Sequence, residues 1–136
     1  MTRPNCKECE LKAALPATLE AAEEFLGEFR QRWKCRLKNA GWFGIELLLR
    51  EALANAVNHG SHGDPAKQVR CVLRLSRRRL VITVRDEGDG FDWRAAGCGL
   101  VGSLKPSGLG IPIYREYATR VRFNSRGNAV TIVKQF

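Results

Sequence analysis

Apolar positions divide the chain into stretches of strand period and stretches of helix period. Leu11 to Leu15 reads as a short strand ending at Pro16. Thr18 stands where a helix N-cap belongs. Glu20, Glu23 and Glu24 follow in the first turns, where the helix dipole favours acids. Leu19, Ala22, Phe25, Leu26 and Phe29 recur at helical spacing and predict a helix through about Trp33. Asn39-Ala40-Gly41 breaks that pattern. A second, more apolar helix is predicted from about Phe43 to His59, stopped by Gly60 and a Ser-His-Gly-Asp-Pro loop.

The period then changes to two. Cys71, Leu73 and Leu75 alternate with Arg70, Val72 and Arg74. After an Arg77-Arg78 turn, Leu80, Ile82 and Val84 alternate with Val81, Thr83 and Arg85. The Arg-bearing positions predict a solvated side of a sheet. Phe91 to Ser107 holds Gly97, Gly99, Gly102 and Pro106 without a period, and predicts a mobile loop. Gly110 to Ala118 can form a short helix. Val121 to Asn124 and Ala129 to Val133 predict a closing hairpin around Ser125-Arg126-Gly127-Asn128. The order β-α-α-β-β-loop-α-β-β gives an α+β fold, with helices on one face of a mostly antiparallel sheet.

Composition narrows the partners. A length of 136 residues suits one domain with a real core. Residues 1–10 form a polar extension carrying a C-x-x-C, and residues 11–136 form the domain. No apolar run could span a bilayer and Met1 to Glu10 lacks a signal-peptide core, so the expected location is cytoplasmic, with no membrane partner. A formal charge of +9 fits a polyanion, or an acidic protein together with a phosphate-bearing ligand. No run of aromatics is interleaved with Arg or Lys in a nucleic-acid-binding pattern and no zinc-finger spacing is complete, which disfavours nucleic acid. Cysteines at 6, 9, 35, 71 and 98 form no disulfide framework. Cys71 sits in a strand pattern as a small buried hydrophobe. Cys6 and Cys9 supply only two of the four ligands that a structural zinc normally takes.

Three short motifs carry candidate chemistry. Glu51, Asn55 and His59 recur every fourth residue and stack on one face of the second helix. A polar column on an apolar helix needs partners. Packing against loops would supply them, and so would a ligand. Asn55 offers a hard amide oxygen suited to Mg²⁺, and Glu51 could accept a proton from an attacking hydroxyl. Asp86-Glu87-Gly88-Asp89-Gly90-Phe91 follows a strand directly. Its glycines allow a tight turn or close approach of a flat ligand, and Asp86 can accept a hydrogen bond from an exocyclic amine. A plain Gly-rich turn has the same composition. Calcium is a weaker reading, because no acid follows at the closing position of an EF-hand loop. Ser107-Gly108-Leu109-Gly110 meets a helix start, where backbone N–H groups can cradle an anion, although it is no Walker A loop.

Taken in order, E-x-x-x-N-x-x-x-H-G, D-x-G-x-G-F and S-G-L-G resemble the N, G1 and G2 boxes of the GHKL ATPase superfamily, which includes gyrase, heat-shock chaperone, histidine kinase and mismatch-repair proteins. With Glu at the head of the N box and His-Gly at its end, the chain looks most like the anti-sigma factor serine/threonine kinases. The resemblance covers roughly Leu11 to Phe136 and implies a Bergerat-type α/β sandwich that binds ATP and Mg²⁺. It implies that Glu51 is the general base for a protein hydroxyl attacking the γ-phosphate, and that Asn55 binds Mg²⁺. Asp86 would hold the adenine amino group, with Gly88 and Gly90 shaping its pocket. Ser107, Gly108, Leu109 and Gly110 would approach the phosphates, Asp92 to Ser107 would be the ATP lid, and Lys105 could reach a phosphate. Asn58 and His59 would complete the nucleotide site.

The partners so implied are an anti-sigma factor antagonist, phosphorylated on serine or threonine, and a sigma factor. Helix-one and sheet surfaces would allow a homodimer. An alternative is a catalytically weak module that binds ATP or sequesters its partner. The catalytic half of a histidine kinase fits less well, since no phosphoacceptor helix pair precedes the domain.

Overall fold

The computed structural model describes residues 9–90 and 111–136. Thr18 caps the first helix as expected: its Oγ1 accepts from the Ala21 N–H at 3.1 Å. That helix, α1, spans Leu19–Leu37, one turn beyond the predicted end. The reason is Leu37, which extends the apolar stripe of Ala22, Phe25, Leu26, Phe29 and Trp33 and is fully buried. Gly41, with φ of +83°, turns the chain into α2, Trp42–Asn55. Regular α geometry stops there. Ala56–Gly60 forms a π-helical turn, so the predicted uniform helix to His59 is corrected at its last turn. The Ser61 N–H donates to the Ala56 carbonyl at 2.9 Å in the wide spacing of that turn.

Five strands form one sheet. They are β1 (Cys9–Pro16), β2 (Gln68–Ser76), β3 (Arg79–Arg85), β4 (Arg120–Phe123) and β5 (Ala129–Gln135). The order is β1-β2-β3-β5-β4, and each neighbouring pair is antiparallel. β1 starts two residues before Leu11. Cys9 pairs with Leu75 and Glu10 with Arg74, whose Nε lies 2.9 Å from the Glu10 carboxylate. The short helix α3 covers Ile111–Tyr117.

The alternation of β2 and β3 sends Cys71, Leu73, Leu80, Ile82 and Val84 to one face, where each is buried. Val130 and Ile132 continue that layer on β5. The helical stripes cover it, giving the expected α+β arrangement with helices on one face. Phe29 sits between the two tryptophans of the helical layer, 5.6 Å from Trp33 and 5.1 Å from Trp42 by ring centroids. Gly44 lets α2 and α3 meet closely: a Cβ there would lie 2.4 Å from Tyr117 Cδ1. Among the described residues, no helix is long and apolar enough to cross a membrane.

Candidate functional site

The end of α2, the end of β3, α3 and the β4–β5 turn enclose a cleft with about 480 Å³ of space, part of it open to solvent. Ala52, Asn55, Ala56, His59 and Gly60 line the helical wall. Val84, Asp86 and Gly90 line the strand wall, and Asn128 and Val130 continue it from the hairpin. Tyr114 and Phe123 close a third side, their rings 6.5 Å apart.

Asp86 is the buried polar group of this cleft, with 9% of its surface exposed. Strand β3 carries it there and the hairpin holds it. Its N–H donates to the Asn128 carbonyl at 2.9 Å, and Asn128 Nδ2 reaches the Asp86 carbonyl at 3.4 Å. Its Oδ1 accepts from the Gly88 N–H at 2.7 Å, closing the turn on itself. Burial pushes the carboxyl above its ordinary 3.8, while the Gly88 N–H and the charges of Lys67 and His62 pull the other way.

Three glycines make this geometry available. A Cβ on Gly60 would lie 2.2 Å from the Asp86 carboxyl. One on Gly88 would lie 2.0 Å from the Gly60 carbonyl oxygen. Gly90 has φ of +86°, and a Cβ there would lie 1.7 Å from the Arg126 carbonyl oxygen. Sequence reasoning attached Gly88 and Gly90 to the approach of a flat ligand. The described contacts are with protein backbone, and Gly90 lines the cleft whereas Gly88 stands behind it. The π-helical turn carries Gly60 into the same contact, which ties the two motifs together physically.

The other expected residues divide. Asn55 is half-buried, lines the cleft, and its Nδ2 donates to Tyr114 Oη at 3.4 Å. His59 lines the cleft from an exposed position. Glu51 lies one turn back on α2, half-buried and outside the described lining, and Asn58 is exposed and also outside it. Lys105, Ser107, Gly108, Leu109, Gly110 and the lid segment Asp92 to Ser107 lie outside the described residues, as do Cys6 and Cys98. Cys71 is buried, and burial pushes its thiol up to about 12, which makes it inert packing.

Asn128 and Tyr114 were not singled out by sequence reasoning. Asn128 had a local signal. Asn124 Oδ1 accepts from the N–H groups of Asn128 and Ala129 at 3.0 and 3.2 Å, so Asn124 and Asn128 shape the hairpin that holds Asp86. Tyr114 had none, since only the docking of α3 beside α2 brings it to Asn55. Ser61 is fully buried, and among the described residues its Oγ finds no partner one residue beyond Gly60. An orphaned hydroxyl at this depth is the kind of group that ordered water or a ligand satisfies.

Comparison with known proteins gives the chain a family and relatives. The family model of the histidine kinase-like ATPase domain matches residues 12–134. An anti-sigma F factor of Shouchella clausii is 34% identical over 98 residues, covering 67% of each chain. The serine/threonine-protein kinase BtrW of Bordetella bronchiseptica is 31% identical over 102 residues, covering 71% of this chain and 68% of its own. An anti-sigma F factor of Oceanobacillus iheyensis is 33% identical over 98 residues, again with 67% of each chain covered.

Proposed function

This chain belongs to the histidine kinase-like ATPase domain family, and we propose that it is a Mg-ATP-dependent protein serine/threonine kinase acting as an anti-sigma factor. Its substrate would be a protein antagonist, and its regulatory target a sigma factor. The observation that carries the reading is the joining of Asn55 and Asp86 across one cleft, at the positions of the N-box amide and the G1-box carboxylate.

The residues present fit the nucleotide. The Asp86 end offers a buried, acceptor-only carboxylate between apolar walls, which suits the edge of a purine carrying an exocyclic amine. With Asn55 Nδ2 donating to Tyr114, its amide oxygen is the end that would serve as a Mg²⁺ ligand. Among the described residues, no cluster of three or more His, Cys, Asp or Glu could hold a metal alone. When bound, the Mg²⁺ ion would offset the charge of the transferring phosphoryl group. Lys105, Ser107, Gly108, Leu109 and Gly110 would contribute from the Gly-rich segment, and His59 and Asn58 from the helix end.

Glu51 would take the proton of the attacking serine or threonine hydroxyl as its oxygen bonds to the γ-phosphorus. The bond to the bridging oxygen then breaks and ADP leaves. A carboxylate one turn from Asn55 and outside the buried cleft suits a base that must meet a protein substrate.

Calorimetry with Mg-ATP, on the wild type beside Asp86→Ala, tests the pocket. Binding lost in the variant supports it, and a folded wild type that binds no nucleotide overturns it. Mixing the protein with a candidate antagonist and Mg-ATP, then weighing the antagonist, tests transfer. A gain of one phosphoryl group is expected, and nucleotide binding without that gain favours the sequestering module.

A further inference from the structure

The helical layer covers one face of the sheet and leaves the other open. Register places Lys12, Val72, Thr83, Thr131 and Arg122 in one row across all five strands. The next row holds Glu10, Arg74, Val81, Val133 and Arg120. In a third, Arg70 stands opposite Arg85. All of these point away from the buried layer, because paired residues share a face. The basic side chains are exposed, and Val72, Val81, Thr83, Thr131 and Val133 lie half-buried among them.

Charge on this face is poorly balanced. Glu10 is bonded to Lys12 at 3.1 Å and to Arg74 at 2.9 Å. Among the described residues, Arg70, Arg85, Arg120 and Arg122 make no ion pair. Two like charges directly opposite, as Arg70 and Arg85 are, cost a sheet stability. The fold gives no reason for that cost, but an acidic occupant would.

We infer that this open sheet face docks an acidic protein surface with an apolar centre. A half-buried valine and threonine middle inside an arginine border matches a protein interface, with its apolar core and polar rim. Binding of single-stranded nucleic acid draws on aromatic stacking platforms, and the rows named here carry no aromatic side chain. A second copy laid face to face would set cations against cations. The chain's own segments outside the described residues are not acidic either: Arg3 and Lys7 accompany Glu8, and Arg94 and Lys105 accompany Asp92. The inference stands apart from the nucleotide reading, since the cleft lies on the helix side of the sheet.

The test uses the full chain and a dye-labelled peptide in which glutamates flank a valine–leucine centre, with binding followed by fluorescence anisotropy at low salt. R70E/R122E should weaken peptide binding about tenfold or more. K34E/K38E changes the net charge equally at the C-terminal end of α1 and should leave it unchanged. R70Q/R122Q is the second variant, in case charge reversal disturbs folding, and should weaken binding in the same direction. Equal binding by wild type and face variants, or no binding at all, overturns the inference. Duplex DNA of matched charge binding this face more tightly than the peptide overturns it in favour of nucleic acid. A wild-type dimer that the face variants dissociate, seen by sedimentation, overturns it in favour of self-association.

Discussion

At its Asp86 end the cleft is held by backbone: Gly60, Gly88 and Gly90 bring three chain segments closer than any side chain would allow. The Asn55 end is built from side chains. Asn55 reaches Tyr114 through a long 3.4 Å hydrogen bond, His59 is exposed, and Glu51 sits half-buried one turn away. The difference separates two tasks. Recognising a flat base needs a rigid acceptor in a fixed place, which backbone contacts supply. Meeting phosphates, a metal ion and a protein hydroxyl needs groups that complete their geometry only when ligand and partner arrive.

The sharpest test of that division is Glu51→Ala. If the open end serves chemistry alone, transfer to the antagonist should fall by about 10²- to 10⁴-fold while Mg-ATP affinity stays within about twofold. Single-turnover phosphorylation beside calorimetry reads both, and unchanged transfer would remove Glu51 from the base role. Asp86→Ala should do the reverse, acting on affinity first. Losing a hydrogen bond to a charged acceptor predicts a fall in nucleotide affinity of roughly 10- to 100-fold. An affinity near wild type would mean that the buried end does not recognise the base.

A smaller effect separates backbone from side-chain construction. Gly90→Ala places a Cβ against the Arg126 carbonyl at a φ of +86° and should cost roughly 1 to 3 kcal/mol of stability. Gly27→Ala is the control. A Cβ at Gly27 meets nothing within 4 Å in the middle of α1, so alanine there should stabilise by about 0.5 to 1 kcal/mol. Chemical denaturation of both variants checks the pair. A neutral Gly90→Ala would show that the hairpin yields easily, and that the two ends differ less in rigidity than their contacts indicate.

The same division decides what was legible in the chain. Helices and strands were readable because α1 and β2–β3 write their burial as periods of about 3.6 and 2. Thr18 was readable because a cap is local. Asp86 stood out only through the order of the three motifs, since a plain Gly-rich turn has the same local composition. The π-helical turn at Ala56–Gly60 was not readable, since the residues repeat at helical spacing and only the contact of Gly60 with Asp86 shows the consequence of its widening. The insertion of β5 between β3 and β4 was not, because strand order is a long-range property. Tyr114 was hidden for the same reason: it meets Asn55 across 59 positions of chain.

The smallest effect sets the two tasks of Asp86 against each other. Burial raises its carboxyl above 3.8, so the folded chain holds this proton more tightly than the unfolded one does. Its contribution to stability is therefore complete below 3.8 and is lost as pH rises through the raised value. Asp86→Asn carries no such charge. The stability of wild type relative to this variant should fall as pH rises through that window and level off above it, read by thermal melts across the pH range. Nucleotide binding should run the other way, because an amine donor needs the ionised carboxylate, and affinity should drop on acidification through the same window. The acid limbs of melting and of Mg-ATP binding would then cross in opposite directions at one group. If both rose together with pH relative to Asp86→Asn, the carboxylate would be serving the fold, and the buried end of the cleft would not be a recognition device.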